Sequence, residues 1–160
     1  MNYYTRAGFD DLRNRLSLLK NEGRLQVANA LAEARDKGDL SENAEYDAAK
    51  DEQGILEAKI AKLETVLSEA IVLEEEDIDI SRVSILSQVR VLDQQTDKQS
   101  VFMLVSQEEA NLKLGKISIS SPMGKGLLGK KCGEIAIVQT PAGQFGLKVL
   151  EIGLNLSSRS

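Results

Sequence analysis

Gly38-Asp39-Leu40-Ser41-Glu42-Asn43-Ala44-Glu45-Tyr46 is an acidic, turn-forming segment between two long stretches of helical pattern. After this segment, apolar residues recur at alternating spacings of four and three, the period of a coiled-coil seam: Leu56, Ile60, Leu63, Leu67 and Ala70. Before it the same spacing occurs twice: at Leu12, Leu16 and Leu19, and at Val27, Leu31 and Ala34. A short turn between two striped helices makes them antiparallel neighbours, which predicts a helical hairpin with residues 38–46 at its tip.

The two apolar sets of the first helix are one residue out of phase, and Gly23 lies between them. A phase slip at a glycine predicts a local break or bend in this helix. A second helix running from Asp39 to Glu75 at about 1.5 Å per residue would make the arm roughly 50 Å long.

The pattern changes near residue 77, after an acidic run that we interpret as a solvated linker. Short apolar and β-branched stretches follow, separated by turn residues, and they predict strands at 89–92, 100–105, 117–120, 134–138 and 145–152. Residues 121–129 predict a short helix closed by glycine. The sequence therefore predicts an α+β protein. An antiparallel coiled-coil arm occupies residues 1–76, and a small β-sheet domain with one short helix occupies residues 77–160.

Composition excludes several classes of function. The formal net charge of −5 argues against wholesale binding to nucleic acid phosphates. The chain has no histidine and a single cysteine, Cys132, so it predicts neither an internal disulfide nor a Cys/His zinc site. No apolar run approaches the roughly 20 residues that span a bilayer, and the N-terminus lacks the apolar region of a signal peptide. We expect a soluble, cytoplasmic monomer with no membrane partner.

The tip segment, preceded by Ala34-Arg35-Asp36-Lys37, resembles the tip of the bacterial Gre transcript cleavage factors of the GreA type. The resemblance continues in order along the chain, through residues 48–50, 53–54, 117–122, 126–130 and 140–143. It implies an N-terminal antiparallel coiled coil and a C-terminal domain similar to FK506-binding proteins.

The resemblance also implies a partner and a role. Such a factor binds bacterial RNA polymerase: its C-terminal domain docks at the rim of the secondary channel, and its arm enters the channel. The tip acids, which match Asp39 and Glu42, reach the active centre near the 3′ end of backtracked RNA. The factor is not itself an enzyme; it stimulates hydrolysis by the polymerase. Asp39 and Glu42 would hold Mg²⁺ jointly with the polymerase, and the isolated protein would bind no cofactor tightly.

Asp39 and Glu42 also have a purely structural interpretation. Asp39-Leu40-Ser41-Glu42 has the spacing of a capping box, with Asp39 as the N-cap of the second helix and Glu42 at its third position. Ser41 is the alternative cap, and it would leave both carboxylates free.

Five further tip residues are candidates for contacts with RNA or polymerase. Arg35, Lys37 and Lys50 could contact RNA phosphate or serve only solubility. Tyr46 could stack on RNA or pack across the hairpin. Asn43 could orient Glu42 or a ligand, or merely finish the turn.

Ser121 and Pro122 match the part of the family's C-terminal domain that docks on polymerase, although serine followed by proline is also a common helix start. Two rival functions remain: a channel-binding regulator that inhibits cleavage, and a peptidyl-prolyl isomerase or peptide-binding module. Retention of both tip acids argues against the first rival. The scarcity of aromatic residues after residue 80, only Phe102 and Phe145, argues against the second.

Overall fold

The computed structural model describes residues 2–38 and 43–156. The chain divides into two compact units. One unit is Phe9–Ala70, and the other combines Met1–Gly8 with Ile71–Ser160. The predicted α+β class is confirmed: one unit is a helical hairpin and the other is built around a β-sheet.

The arm consists of α1 (Arg6–Leu18), a π-helix (Leu19–Gly23), α2 (Arg24–Asp36) and α3 (Ala44–Glu69). The predicted seam is the buried face of the hairpin. Its side chains include Leu12, Val27, Ala34, Leu56, Ile60 and Leu63, all at most 9% exposed. Salt bridges flank the seam, with Arg24 and Glu57 joined by two hydrogen bonds of 3.0 and 2.8 Å.

The π-helix explains the phase slip in the sequence. A π-helical turn closes its hydrogen bonds over five residues, so it absorbs one residue more than an α-helical turn. The five residues Leu19–Gly23 lie between the two apolar sets that are out of phase. The predicted local break at Gly23 is therefore confirmed, and it takes the form of a π-helical turn. The extra residue in this turn lets the apolar residues before it and those after it both face α3. Gly23 packs against Leu56, whose Cδ1 lies 3.1 Å from the position that a Cβ would occupy.

The end of the arm differs from the prediction. α3 ends at Glu69, and Ala70–Val72 form strand β2. β2 pairs with β1 (Asn2–Tyr4) in a two-stranded sheet. The predicted helix to Glu75 is therefore wrong, because the apolar, β-branched end of the seam pairs with the N-terminal strand instead. The 26 residues of α3 span about 39 Å, shorter than the predicted arm.

The second unit contains β3 (Gln88–Asp93), β4 (Gln99–Val105), β5 (Lys116–Ser118), α4 (Pro122–Leu127), β6 (Ile135–Thr140) and β7 (Gly143–Gly153). Its sheet has the order β5-β4-β3-β7-β6, with every pair antiparallel except β4 and β5. The five predicted strands and the short helix are confirmed. The core includes Val89, Val91, Leu104, Leu127, Ala136, Val138 and Val149, all at most 1% exposed.

Two glycines bring α4 close to the sheet. A Cβ on Gly124 would collide with the carbonyl oxygen of Ser118. A Cβ on Gly126 would lie 3.0 Å from the carbonyl oxygen of Ile137. The absence of side chains at these positions therefore sets how closely α4 can pack.

The N-terminal strand β1 belongs to the sheet-containing unit. Tyr4 is completely buried, and its carbonyl oxygen accepts a hydrogen bond of 2.9 Å from the Leu73 amide. The predicted division of the chain at residue 77 stays a prediction. Within the described residues, none of the helices has the length and hydropathy that crossing a bilayer requires.

Candidate functional site at the hairpin tip

The first side of the tip is the end of α2. Lys37 follows the last helical residue, Asp36, and Gly38 then adopts a φ of 122°. This backbone conformation strongly favours glycine, because a Cβ would be strained there. The chain direction therefore changes at Gly38. The candidate catalytic and metal-binding residues are Asp39, which follows Gly38 directly, and Glu42, which is four residues after Gly38. Both lie outside the described residues.

The second side of the tip is organised by Asn43. Its backbone is extended, and its side-chain Oδ1 accepts a hydrogen bond of 3.1 Å from the Tyr46 amide. Its Nδ2 donates a hydrogen bond of 2.5 Å to the carbonyl oxygen of Ala34, on the opposite helix. Asn43 is therefore the N-cap of α3.

The N-cap of α3 is Asn43, because α3 begins at Ala44; the capping interpretations of Asp39 and Ser41 concern residues outside the described part of the chain. Asparagine, aspartate and serine are comparable N-caps. What distinguishes Asn43 is its amide donor, which reaches the carbonyl oxygen of Ala34. Asn43 thus finishes the turn through its hydrogen bonds to Ala34 and Tyr46, and its contact with RNA or polymerase stays a prediction.

Tyr46 is half-buried, and the guanidinium carbon of Arg35 lies 5.9 Å from the centre of its ring. This distance fits a cation–π contact between the two helices. Of the two interpretations of Tyr46, the contact favours packing across the hairpin. RNA contacts by Tyr46 and Arg35 stay predictions.

Lys37 and Lys50 have partners within the arm. Lys37 Nζ donates a hydrogen bond of 2.8 Å to Glu45 Oε2, and this bond raises the pKa of the Lys37 ammonium group. Lys50 Nζ donates a hydrogen bond of 3.3 Å to Gln53 Oε1. Both lysines remain exposed, so contacts with RNA phosphate stay predictions.

No three or more His, Cys, Asp and Glu side chains cluster suitably for a metal ion among residues 2–38 and 43–156. The acidic side chains in the first turn of α3, Glu45 and Asp47, are exposed, and Glu45 is paired with Lys37.

Ser121 and Pro122 lie at the start of α4. Ser121 Oγ accepts a hydrogen bond of 3.0 Å from the Gly124 amide and donates one of 2.6 Å to the Ser118 carbonyl oxygen. Pro122 occupies the first turn, where a missing N–H has no cost. The helix-start interpretation is therefore confirmed, and the docking role stays a prediction.

A pocket of about 410 Å³, which the sequence pattern did not predict, lies beside these two residues. Its lining is mainly apolar and includes Leu112, Ile117, Pro122, Met123 and Phe145. These residues are far apart in sequence, and the parallel pairing of β4 with β5 helps to gather them. No local sequence pattern carries this signal.

Two family models match the chain in order. The model described as "Transcription elongation factor, N-terminal" matches residues 2–72, and the model described as "Transcription elongation factor, GreA/GreB, C-term" matches residues 78–153. Together they account for nearly the whole chain.

Individual relatives agree with these matches. The chain is 56% identical over 152 residues to "Transcription elongation factor GreA" of Amoebophilus asiaticus (strain 5a2), which covers 95% of this chain and 97% of that protein. It is 49% identical over 152 residues to the protein of the same name from Christiangramia forsetii, covering 95% of this chain and 96% of that protein. Among solved structures, GreA factor homolog 1 of Thermus thermophilus is 32% identical, with a TM-score of 0.45, covering 94% of this chain and 97% of that chain. The chain belongs to the GreA/GreB family of transcription elongation factors.

Proposed function

We propose that this protein binds bacterial RNA polymerase and stimulates the polymerase's own endonucleolytic cleavage of backtracked RNA, which rescues arrested elongation complexes. The observation that carries the proposal is the acidic segment 38–46 between the two helices of a long hairpin. Membership of the GreA/GreB family supports it. In this proposal the protein is a cytoplasmic monomer, and the hydrolytic activity belongs to the polymerase.

The two units have separate tasks. The sheet-containing unit docks at the rim of the polymerase secondary channel through the surface around Ser121 and Pro122. The mainly apolar pocket beside them supports this assignment, since apolar surface patches often mark sites of protein interaction. Leu112 and Leu114, on the segment before β5, are 73% and 68% exposed. The arm then enters the channel.

Asp39 and Glu42 are the residues that act at the active centre. Their carboxylates are hard oxygen ligands of the kind that Mg²⁺ prefers. Two carboxylates are too few to complete its coordination, so the polymerase must supply the remaining ligands. When held jointly by both proteins, Mg²⁺ would supply activation of water and stabilisation of transition-state charge. The backtracked RNA 3′ end is the substrate in the complex.

The test is cleavage of RNA in stalled, backtracked elongation complexes. Asp39→Asn and Glu42→Gln keep side-chain size and remove charge, so we expect each to lose most of the stimulation while binding polymerase as tightly as the wild-type protein. Raised Mg²⁺ should restore part of the loss by mass action. Cys132→Ser is the control for an exposed substitution elsewhere.

Two results would contradict the proposal. The first is wild-type cleavage by the double variant with Asp39→Asn and Glu42→Gln. The second is hydrolysis of naked RNA by the purified factor. A wild-type protein that slows cleavage in the same assay would instead identify a channel-binding inhibitor.

A further inference from the structure

We propose that Asn43 is a positioning residue that ties α2 to the start of α3 and thereby fixes the frame from which residues 39–42 are presented. The inference rests on the proposed function, because the segment between the two tied ends contains Asp39 and Glu42. Asn43 itself touches neither RNA nor metal in this proposal.

One side chain makes both connections. Asn43 Oδ1 accepts from the Tyr46 amide on α3 at 3.1 Å, and Asn43 Nδ2 donates to the Ala34 carbonyl on α2 at 2.5 Å. Ala34 is only 1% exposed, and Asn43 is half-buried. Water therefore competes poorly for the bond that crosses between the helices, so the bond can act as a stable tie.

Asn43 makes one hydrogen bond more than an N-cap needs. Asp, Ser and Asn serve comparably as N-caps, because each presents an oxygen to the free amides of the first turn. Of these three side chains, only asparagine carries an amide donor. Aspartate would present a second carboxylate oxygen to the Ala34 carbonyl oxygen, and serine is one atom shorter. The bond to Ala34 is therefore the feature that a capping role leaves unexplained.

The other described ties at this position are more exposed. Lys37 and Glu45 form an ion pair whose side chains are 61% and 62% exposed, and pairs of this kind contribute little to stability. Arg35, which contacts the Tyr46 ring, is also exposed. Catalysis is sensitive to such framing, because a displacement of about 1 Å can lower a rate roughly 100-fold.

The test compares Asn43→Asp, Asn43→Ser and Asn43→Ala in the full-length protein. Asp and Ser keep the cap and lose only the bond to Ala34, so we expect their unfolding temperatures to lie between those of the wild type and Asn43→Ala. Ala loses both bonds and should unfold at a lower temperature. All three should bind polymerase with wild-type affinity, yet at saturating factor the maximal cleavage rate should fall about tenfold or more. Asn21→Asp makes the same chemical change at an exposed position of the π-helix and should change neither property.

A second measurement reports on the tie without polymerase. Spin labels on cysteines replacing the exposed residues Glu33 and Asp47, in a Cys132→Ser background, give the distribution of distances across the tip. We expect a narrow distribution with Asn43 and broader ones with Asp or Ser at this position. Unchanged distributions would overturn the tie.

The cleavage results separate the two proposals. Wild-type maximal rates in Asn43→Asp and Asn43→Ser, with Asp39→Asn inactive, would overturn the positioning role and leave the proposed function standing. A wild-type protein that stimulates no cleavage would overturn the proposed function, and the positioning role would fall with it.

Discussion

Tyr4 is a single buried residue with a measurable pH dependence. It is completely buried, and its hydroxyl makes no hydrogen bond of good geometry to the described residues. Burial raises the pKa of this hydroxyl above its ordinary value, and the negative charges of Glu108 and Glu109 raise it further. The nearby Ser106 side chain lowers the pKa, but by less than burial raises it. The folded state therefore holds the tyrosine proton more tightly than the unfolded state.

We expect Tyr4→Phe to be at least as stable as the wild type at pH 7, because it removes a buried hydroxyl that lacks a partner. In the wild type, a raised folded pKa means that the free energy of unfolding falls as pH rises above about 10. The variant should lose less stability over that range. Urea unfolding at pH 7 and at alkaline pH measures both effects. An identical alkaline loss in the two proteins would show that Tyr4 does not titrate in this way.

The choice of N-cap shows what sequence can decide at a single residue. Asp39, Ser41 and Asn43 are all good caps, and the spacing of Asp39 to Glu42 favoured the first. The structure uses Asn43 because its amide also bonds the Ala34 carbonyl. That partner lies on the other helix, so the local pattern around the tip could not identify it.

Among the elements, α4 depends on glycine for its position. Gly124→Ala would place a methyl group against the Ser118 carbonyl oxygen, so we expect a loss of roughly 1–3 kcal/mol in the free energy of unfolding.

Gly54→Ala is the matched control for this substitution. Gly54 lies within α3 with nothing within 4 Å of an added Cβ, so its replacement should raise stability by about 0.5–1 kcal/mol. Thermal and urea unfolding of the two variants would test this. Equal effects at both positions would contradict a packing role for Gly124.

Elements with a local sequence pattern were predictable: even the short β5 and α4 were found, from the alternation at 117–120 and from the Ser-Pro start and glycines of 121–129. The seam of α3 repeats over several turns, and β3, β4, β6 and β7 each have at least six residues between turn signals. β1 and β2 have three residues each, too few for a periodicity to appear. Their pairing depends on contacts between distant parts of the chain, so the sequence pattern extended α3 past its actual end. The pocket beside Pro122 went unpredicted for the same reason.

At the scale of the whole molecule, the pairing of β1 with β2 indicates how to remove the arm. A fragment of residues 77–160 would lack both strands and the buried Tyr4. A chain that keeps residues 1–8 and 70–160, joined by a short Gly/Ser linker, retains the sheet-containing unit and the whole of β2. We expect this chain to compete with the full-length protein for polymerase and to stimulate no cleavage, because it lacks Asp39 and Glu42. Competition and cleavage assays measure the two properties, and an armless chain unable to compete would contradict docking through this unit.

In genetic terms, the π-helix at Leu19–Gly23 marks a place where one codon is surplus. Deleting Gln26, an exposed residue, would leave Leu19, Gly23 and Val27 at spacings of four and three, so an uninterrupted α-helix could present the whole seam. Deleting the exposed Lys59 from α3, which has no surplus residue, would rotate Ile60 and Leu63 away from the seam. We expect the first deletion to unfold near the wild-type temperature and the second far below it, as followed by circular dichroism. Equal falls in unfolding temperature for the two deletions would mean that the π-helix does not absorb the extra residue. The expected result would identify the π-helix as the point where relatives can differ in length by one residue and keep the same arm.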